Sequence, residues 1–211
     1  KERNPFIIIE EFVPPMYAEE LIDSTYGLLS IDPLTNIPER TIITNPEFSE
    51  DIEEYLTTRI EYSGLVELIE RTHNVTIESY GDYEYHWYPE GFKTNLIECD
   101  AFQYSERKWY RVHDNRDFTC ILMLKDYASG STIDPDFEVY GGKIEMTNWN
   151  FSFNSARGTL ICFPSCPRFC HHISEVELGE QNFIKFRLKA TQPYVMNISD
   201  FSGNTTSWFN F

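Results

Sequence analysis

Apolar and polar positions alternate differently in the first third of the chain than in the rest. Residues 5–12 (Pro-Phe-Ile-Ile-Ile-Glu-Glu-Phe) are β-branched and aromatic, the pattern of a short strand. Pro14-Pro15 then opens a helix, since proline suits a first turn, with Leu21, Ile22, Leu28 and Leu29 as its apolar stripe. Residues 31–47, rich in Pro, Asn and Thr, read as a loop. Ser49 is placed to cap a second helix, with Glu50, Asp51, Glu53 and Glu54 where the helix dipole favours them. Its apolar side is Ile52, Tyr55, Leu56 and Ile60, and Gly64 bends it before Leu65, Val66, Leu68 and Ile69 resume the stripe. From residue 74 the segments 75–80, 83–88, 94–104, 108–113, 118–124, 143–148, 159–163 and 183–188 are rich in β-branched and aromatic residues, mostly with Pro, Gly, Asn or Asp between them. Helices followed by many short strands predict a mainly β fold with flanking helices (α+β), a β-sandwich or jelly roll with the helices of residues 15–30 and 49–72 packed on one outer face. The organisation expected is one domain over 1–190, with a helical buttress at 13–72 and a β core at 74–190, followed by a polar, aromatic-flecked C-terminal arm at 191–211.

Composition narrows the function. The 211 residues are 41% hydrophobic and 16% aromatic, enough for a sizeable core. No apolar run approaches the roughly 18–20 residues of a membrane span, so no membrane partner is expected. Formal charge is −17, which argues against nucleic acid as a partner because phosphate binding needs a basic footprint. Residues 1–100 carry 22 acids against 6 bases and residues 101–211 carry 12 against 11, so the acidity belongs to the first half. Five cysteines cannot all pair, and four Asn-X-Ser/Thr triplets matter only in a secreted protein; a reducing, cytoplasmic compartment is expected, with a virion location added only by the family resemblance that the strand region carries. Cys162, Cys166, Cys170, His171 and His172 crowd together, but Pro164 and Pro167 interrupt them and no Cys-X2-Cys pair is present, so buried cysteines are expected rather than zinc.

Three features of the strand region belong together: Tyr104 to Asn115, containing His113 and Asp114; Tyr140-Gly-Gly-Lys-Ile-Glu-Met146; and Gly158-Thr-Leu-Ile-Cys-Phe-Pro-Ser165 leading to His171. With Thr119 and Leu124-Lys125-Asp126 between them, their order resembles the prolyl-4-hydroxylase-like Fe(II)/2-oxoglutarate dioxygenases of phages and bacteria, over roughly residues 5–190. The resemblance implies a double-stranded β-helix holding Fe(II) by two His and one carboxylate, with positions left open for 2-oxoglutarate and oxygen. It implies His113, Asp114 and His171 as metal ligands, and Tyr104 and Gln181 as cosubstrate contacts, the last by its place ten residues after His171.

Two departures stand out. The family's His-X-Asp spacing places both ligands on one face of a strand, whereas Asp114 is adjacent to His113 and Asn115, of the right parity, is uncharged. A bulge at 113–114 would be needed to re-aim Asp114. Gln181 stands where the family has an Arg or Lys to pair with the cosubstrate carboxylate. Lys185 and Arg187 share its parity but lie four and six residues further along, roughly 13–20 Å by strand rise, and are not expected to substitute. Two readings follow. One is a catalytically impaired dioxygenase-like jelly roll that serves as a structural or interaction module with protein partners, such as other subunits of a tailed-phage virion, and needs no cofactor. The other is an active Fe(II)/2-oxoglutarate-dependent hydroxylase of a peptide or other small target.

Overall fold

The prolines and caps of the N-terminal third act where the sequence places them. Strand β1 (Ile7–Ile9) runs into Pro14, and helix α1 (Pro15–Tyr26) begins with proline in its first turn. Strand β2 (Ile42–Thr44) lies inside the stretch expected to be loop. Helix α2 (Glu50–Tyr62) is capped by Ser49, whose Oγ accepts from Ile52 N at 3.4 Å, and three acids occupy its first turn. Gly64, in the left-handed region at φ 78°, separates it from α3 (Leu65–His73). Ile52, Leu56 and Ile60 of α2, and Leu65, Ile69 and His73 of α3, recur every four residues and are the buried ones. This computed structural model describes residues 4–29, 33–34, 42–44, 48–94, 97–130, 132–194 and 196. Most of the expected 31–47 loop, and residues 197–211 of the expected C-terminal arm, lie outside the described residues.

The strands follow as β3 (Ile77–Tyr88), β4 (Phe102–Ser105), β5 (Lys108–Arg111), β6 (Phe118–Met123), β7 (Asp126–Tyr127), β8 (Glu138–Gly141), β9 (Ile144–Met146), β10 (Phe151–Phe153), β11 (Leu160–Pro164), β12 (His171–Ile173), β13 (Val176–Gly179) and β14 (Gln181–Ala190). Six of them make the main sheet, in the order β1-β11-β6-β14-β3-β2, with every neighbouring pair antiparallel. Two three-stranded pieces, β10-β9-β12 and β13-β8-β7, and the hairpin β4-β5 complete the strands. The result is the helix-buttressed jelly roll expected. Where two strands were expected at 75–80 and 83–88 there is one, because Gly81 and left-handed Asp82 shift the register against β14 instead of ending the strand. Of the strand expected at 94–104 only Phe102–Ser105 forms; residues 95–96 are outside the described set, and Glu98 makes an isolated bridge to His171. Among the described residues no helix is long and apolar enough to cross a membrane.

Strand parity gives the main sheet two unlike faces. Phe118, Cys120, Leu122, Ile184, Phe186, Leu188, Tyr83, Tyr85 and Trp87 face the helices. Phe12 stacks on Phe186, Tyr26 meets Trp87 edge-on, and Thr57 hydrogen-bonds Tyr83 at 3.0 Å. The helix stripes and this apolar face bury one another, which is the main source of stability that the hydrophobic effect offers here. The opposite, inner face is mixed. It carries Thr119, Ile121, Met123, Phe183, Lys185, Arg187, Glu84 and His86, and the smaller sheet pieces close over it. Buried polar residues on that parity mark the interior as the place to look for a site.

Candidate functional site

Three central strands build the interior. From β14, Lys185 and Arg187 point inward with only 3% of each side chain exposed. From β3, Glu84 offers both carboxylate oxygens to Arg187, at 3.0 Å each. His86 stacks on Phe183 at 4.7 Å, with Nε2 2.8 Å from Glu84 Oε2 and Nδ1 2.7 Å from Tyr88 Oη. From the irregular stretch before β4, Asp100 inserts its carboxylate between the cations. Its Oδ1 lies 2.9 Å from Arg187 Nη2 and 3.5 Å from Lys185 Nζ. Its Oδ2 accepts from Thr119 Oγ1 at 2.7 Å, and Thr119 also meets Ser165 Oγ at 2.7 Å. Glu98 Oε2 approaches Lys185 at 3.5 Å from a half-exposed position.

Burial alone would raise these carboxyls, and the cations overturn it. Glu84 is held at about 2: burial opposes ionisation, but the His86 hydrogen bond and the Arg187 guanidinium outweigh it. Asp100 sits well below the carboxylate range for the same reason, with Lys185 and Arg187 overcoming desolvation. His171, on β12, is fully interior and packs edge-on against Phe163 at 5.3 Å. Burial first and the Lys185 ammonium second push its imidazole below the ordinary value, so it is neutral at pH 7. A carbonyl only accepts, so the 3.2 Å contact of Nδ1 with Phe169 O puts the proton on Nδ1 and leaves a lone pair on Nε2. That Nε2 is buried without a hydrogen-bond partner among the described residues, as is Arg187 Nε.

The other residues singled out in the sequence lie elsewhere. His113 is exposed just beyond β5, within reach of the charges of Arg116, Asp82, Arg187 and Asp100, which puts it at the rim of the interior. Burial and the neighbouring Arg116 lower its pKa. No bulge re-aims Asp114: residues 114–115 are a turn, its side chain is 99% exposed, and it leans towards Arg111 Nε at 3.6 Å. Tyr104 is 54% exposed on the β4-β5 hairpin, against Trp109. Gln181 is buried but committed to backbone, donating to Gly142 O at 2.7 Å and accepting from Asn182 N at 3.0 Å. Lys185 and Arg187, further along β14 than Gln181, do reach the interior, but there they face Glu84, Glu98 and Asp100, and Gln181 does not free its amide. Asp100, Glu98, Glu84 and His86 were missed. For Glu84 and His86 a signal existed, since polar residues at every second position of an otherwise aromatic strand mark one polar face.

The architecture can be compared with known proteins. No family model and no curated protein matches the chain. Among solved structures, the viral collagen prolyl hydroxylase of Paramecium Bursaria Chlorella virus-1, in its 2-oxoglutarate complex, superposes with a TM-score of 0.61 at 17% identity, over 90% of this chain and 97% of that one. A Pseudomonas putida prolyl-4-hydroxylase gives 0.59 at 18% identity, over 88% and 92%. A Trichoplax adhaerens prolyl hydroxylase, bound to a hypoxia inducible factor peptide fragment, gives 0.59 at 17%, over 88% and 84%. The fold is that of the prolyl hydroxylases.

An iron centre in this fold asks for two His and a carboxylate converging on one point. Among the described residues, His171 is the histidine that turns a free lone pair into the interior. His113 is at the rim, and Asp114 points to solvent. Among the described residues no three His, Cys, Asp or Glu side chains come together in a way that could hold a metal ion. A dicarboxylate cosubstrate asks in addition for a cation to spare, and Lys185 and Arg187 on the inner face already face the chain's own carboxylates. The residues present do not fit Fe(II) and 2-oxoglutarate. What they form is an ion-paired polar core that holds β3, β6 and β14 to the segment before β4.

Proposed function

We propose that this protein is a catalytically impaired dioxygenase-fold module that works through contacts with protein partners. A tailed-phage particle is the setting that the sequence resemblance suggests. The observation that carries the reading is the division of the candidate ligands: His171 is interior, while Asp114 is at the surface and ion-paired to Arg111. A fold outlives its site readily, because the residues that pack the sheet are not those that bind the metal. The acidic first half supports a docking role, since it contributes most of the charge. One observation favours the alternative of an active Fe(II)/2-oxoglutarate hydroxylase: the buried lone pair of His171 Nε2 has no partner among the described residues.

Anaerobic calorimetry with Fe(II) and 2-oxoglutarate together, followed by a succinate assay in air, separates the two. The expected outcome is no joint binding at micromolar protein and no succinate above the protein-free rate. Succinate in amounts exceeding one equivalent per chain would replace this reading with the enzymatic one.

A further inference from the structure

Asp100 is held as a bound anion is held. One carboxylate oxygen faces Arg187 and Lys185, the other takes a hydrogen bond from Thr119, and only 6% of the side chain is exposed. All three donors stand on β6 and β14, paired strands at the centre of the main sheet. Asp100 comes from outside that frame. It belongs to the irregular segment 97–101, fastened by the Glu98–His171 bridge on one side and by Ala101 O accepting from Val112 N at 2.8 Å on the other. The polar capacity of the frame also exceeds what Asp100 satisfies, because Arg187 Nε and His171 Nε2 remain buried and unpartnered among the described residues. A rigid set of donors, a ligand delivered by a loop and spare polar atoms at the same place are the attributes of a binding site already occupied.

We propose that Arg187, Lys185 and Thr119 form a carboxylate-binding seat whose resident ligand is the chain's own Asp100. The seat takes a small external carboxylate when that side chain is removed. Planar two-oxygen geometry matches donors placed on either side of the carboxylate, which chloride cannot imitate. In the intact protein the tether holds Asp100 at an effective concentration above that of millimolar solutes, so external carboxylates do not compete. The inference rests on the non-catalytic reading and deepens it, because a filled seat leaves no cation for a cosubstrate carboxylate.

Thermal unfolding of the wild type, Asp100→Ala, Asp100→Gly and Asp100→Asn in chloride, formate and acetate at one ionic strength tests it. Asp100→Ala should melt about 10 °C below wild type in chloride, since it removes the buried carboxylate that the two cations share and leaves Lys185 with only the half-exposed Glu98. Formate at about 100 mM should recover several degrees with saturable dependence, as a ligand that binds only the folded state must. Asp100→Gly should respond more to acetate, whose methyl replaces the lost Cβ. The wild type and Asp100→Asn, with the seat filled, should move by less than about 1 °C. Equal behaviour of the Ala and Gly variants in chloride and carboxylate, whether as equal melting points or as equal failure to fold, overturns the proposal. The assay uses neither iron nor 2-oxoglutarate, so succinate production by the wild type would refute the proposed function and leave this result standing.

Discussion

His73 closes α3 beneath the C-terminal segment, with Nδ1 2.7 Å from Tyr194 Oη and Nε2 3.1 Å from Pro5 O. The carbonyl can only accept, so Nε2 carries the proton and Nδ1 receives the tyrosine hydroxyl. A second proton would have to enter where that hydroxyl points. Burial, partly offset by the Pro5 carbonyl, lowers the imidazole from 6.5 to about 4. Between those values the unfolded chain binds a proton that the native protein does not, so stability falls as pH falls through the window, and is flat above it. The gap of 2.5 units, from 6.5 to about 4, corresponds to about 3 kcal/mol in full, of which about 2 kcal/mol is lost between pH 7.5 and 5. His86 and His171, also depressed by burial, add to the same trend, so the readout must be a difference. Urea unfolding of wild type and His73→Gln at pH 7.5, 6 and 5 supplies it, with equal m-values as the check on two-state behaviour. Glutamine keeps a donor and an acceptor but no titration. It should cost about 1–2 kcal/mol at pH 7.5, and the two proteins should converge near pH 5. A stability difference that stays constant across the three pH values would refute the argument.

Glu84, held at about 2 against an ordinary 4.5, contributes stability that is complete above 4.5 and lost as pH falls towards 2. Glu84→Gln should therefore cost about 3 kcal/mol at pH 7, and acid titration of the circular dichroism signal should show the two proteins converging near pH 2. Gly158 adopts φ +85°, and a Cβ there would meet Val13 O at 2.0 Å, at the point where β11 passes the turn into α1. Gly158→Ala should lower the melting temperature by roughly 5–10 °C, whereas Gly130→Ala, with open space around it, should shift it by less than about 2 °C.

What could be read from the sequence was whatever depends on neighbours a few residues apart. The Ser49 cap, the Pro15 start and the Gly64 break are local chemistry, and each acts in the structure at its own position. Tertiary pairing overrode local cues elsewhere. Gly81 reads as a strand end, yet β14 pairs on both sides of it and carries β3 through as a bulge. Residues 42–44 lie in a stretch that reads as loop, but β3 offers an edge and they become β2. Leu28 was expected on the α1 stripe, but the helix ends at Tyr26 and Leu28 is 37% exposed. The first two outcomes turn on partners more than 40 residues away, which no short window contains.

The interior was harder to read for a related reason. Counting ten residues from His171 to find a cation assumes a fixed path between strands. Here β13 pairs with β8, and left-handed Gly179 turns the chain into β14. Gln181 enters at the strand's start and is absorbed by Gly142, so the first cation to reach the inner face is Lys185. Its partner Asp100 is 85 residues distant, in a stretch whose β-branched and aromatic neighbours read as ordinary strand. Parity cannot identify such a residue, because the segment is not a strand at all. A buried carboxylate stays ionised only where cations meet it, so locating the cations on β14 narrows where their carboxylates must come from. With β6 and β3 paired on either side of β14, the segment entering the β4-β5 hairpin supplies the charge that Arg187 and Lys185 share, and the polar interior follows from the register of one strand.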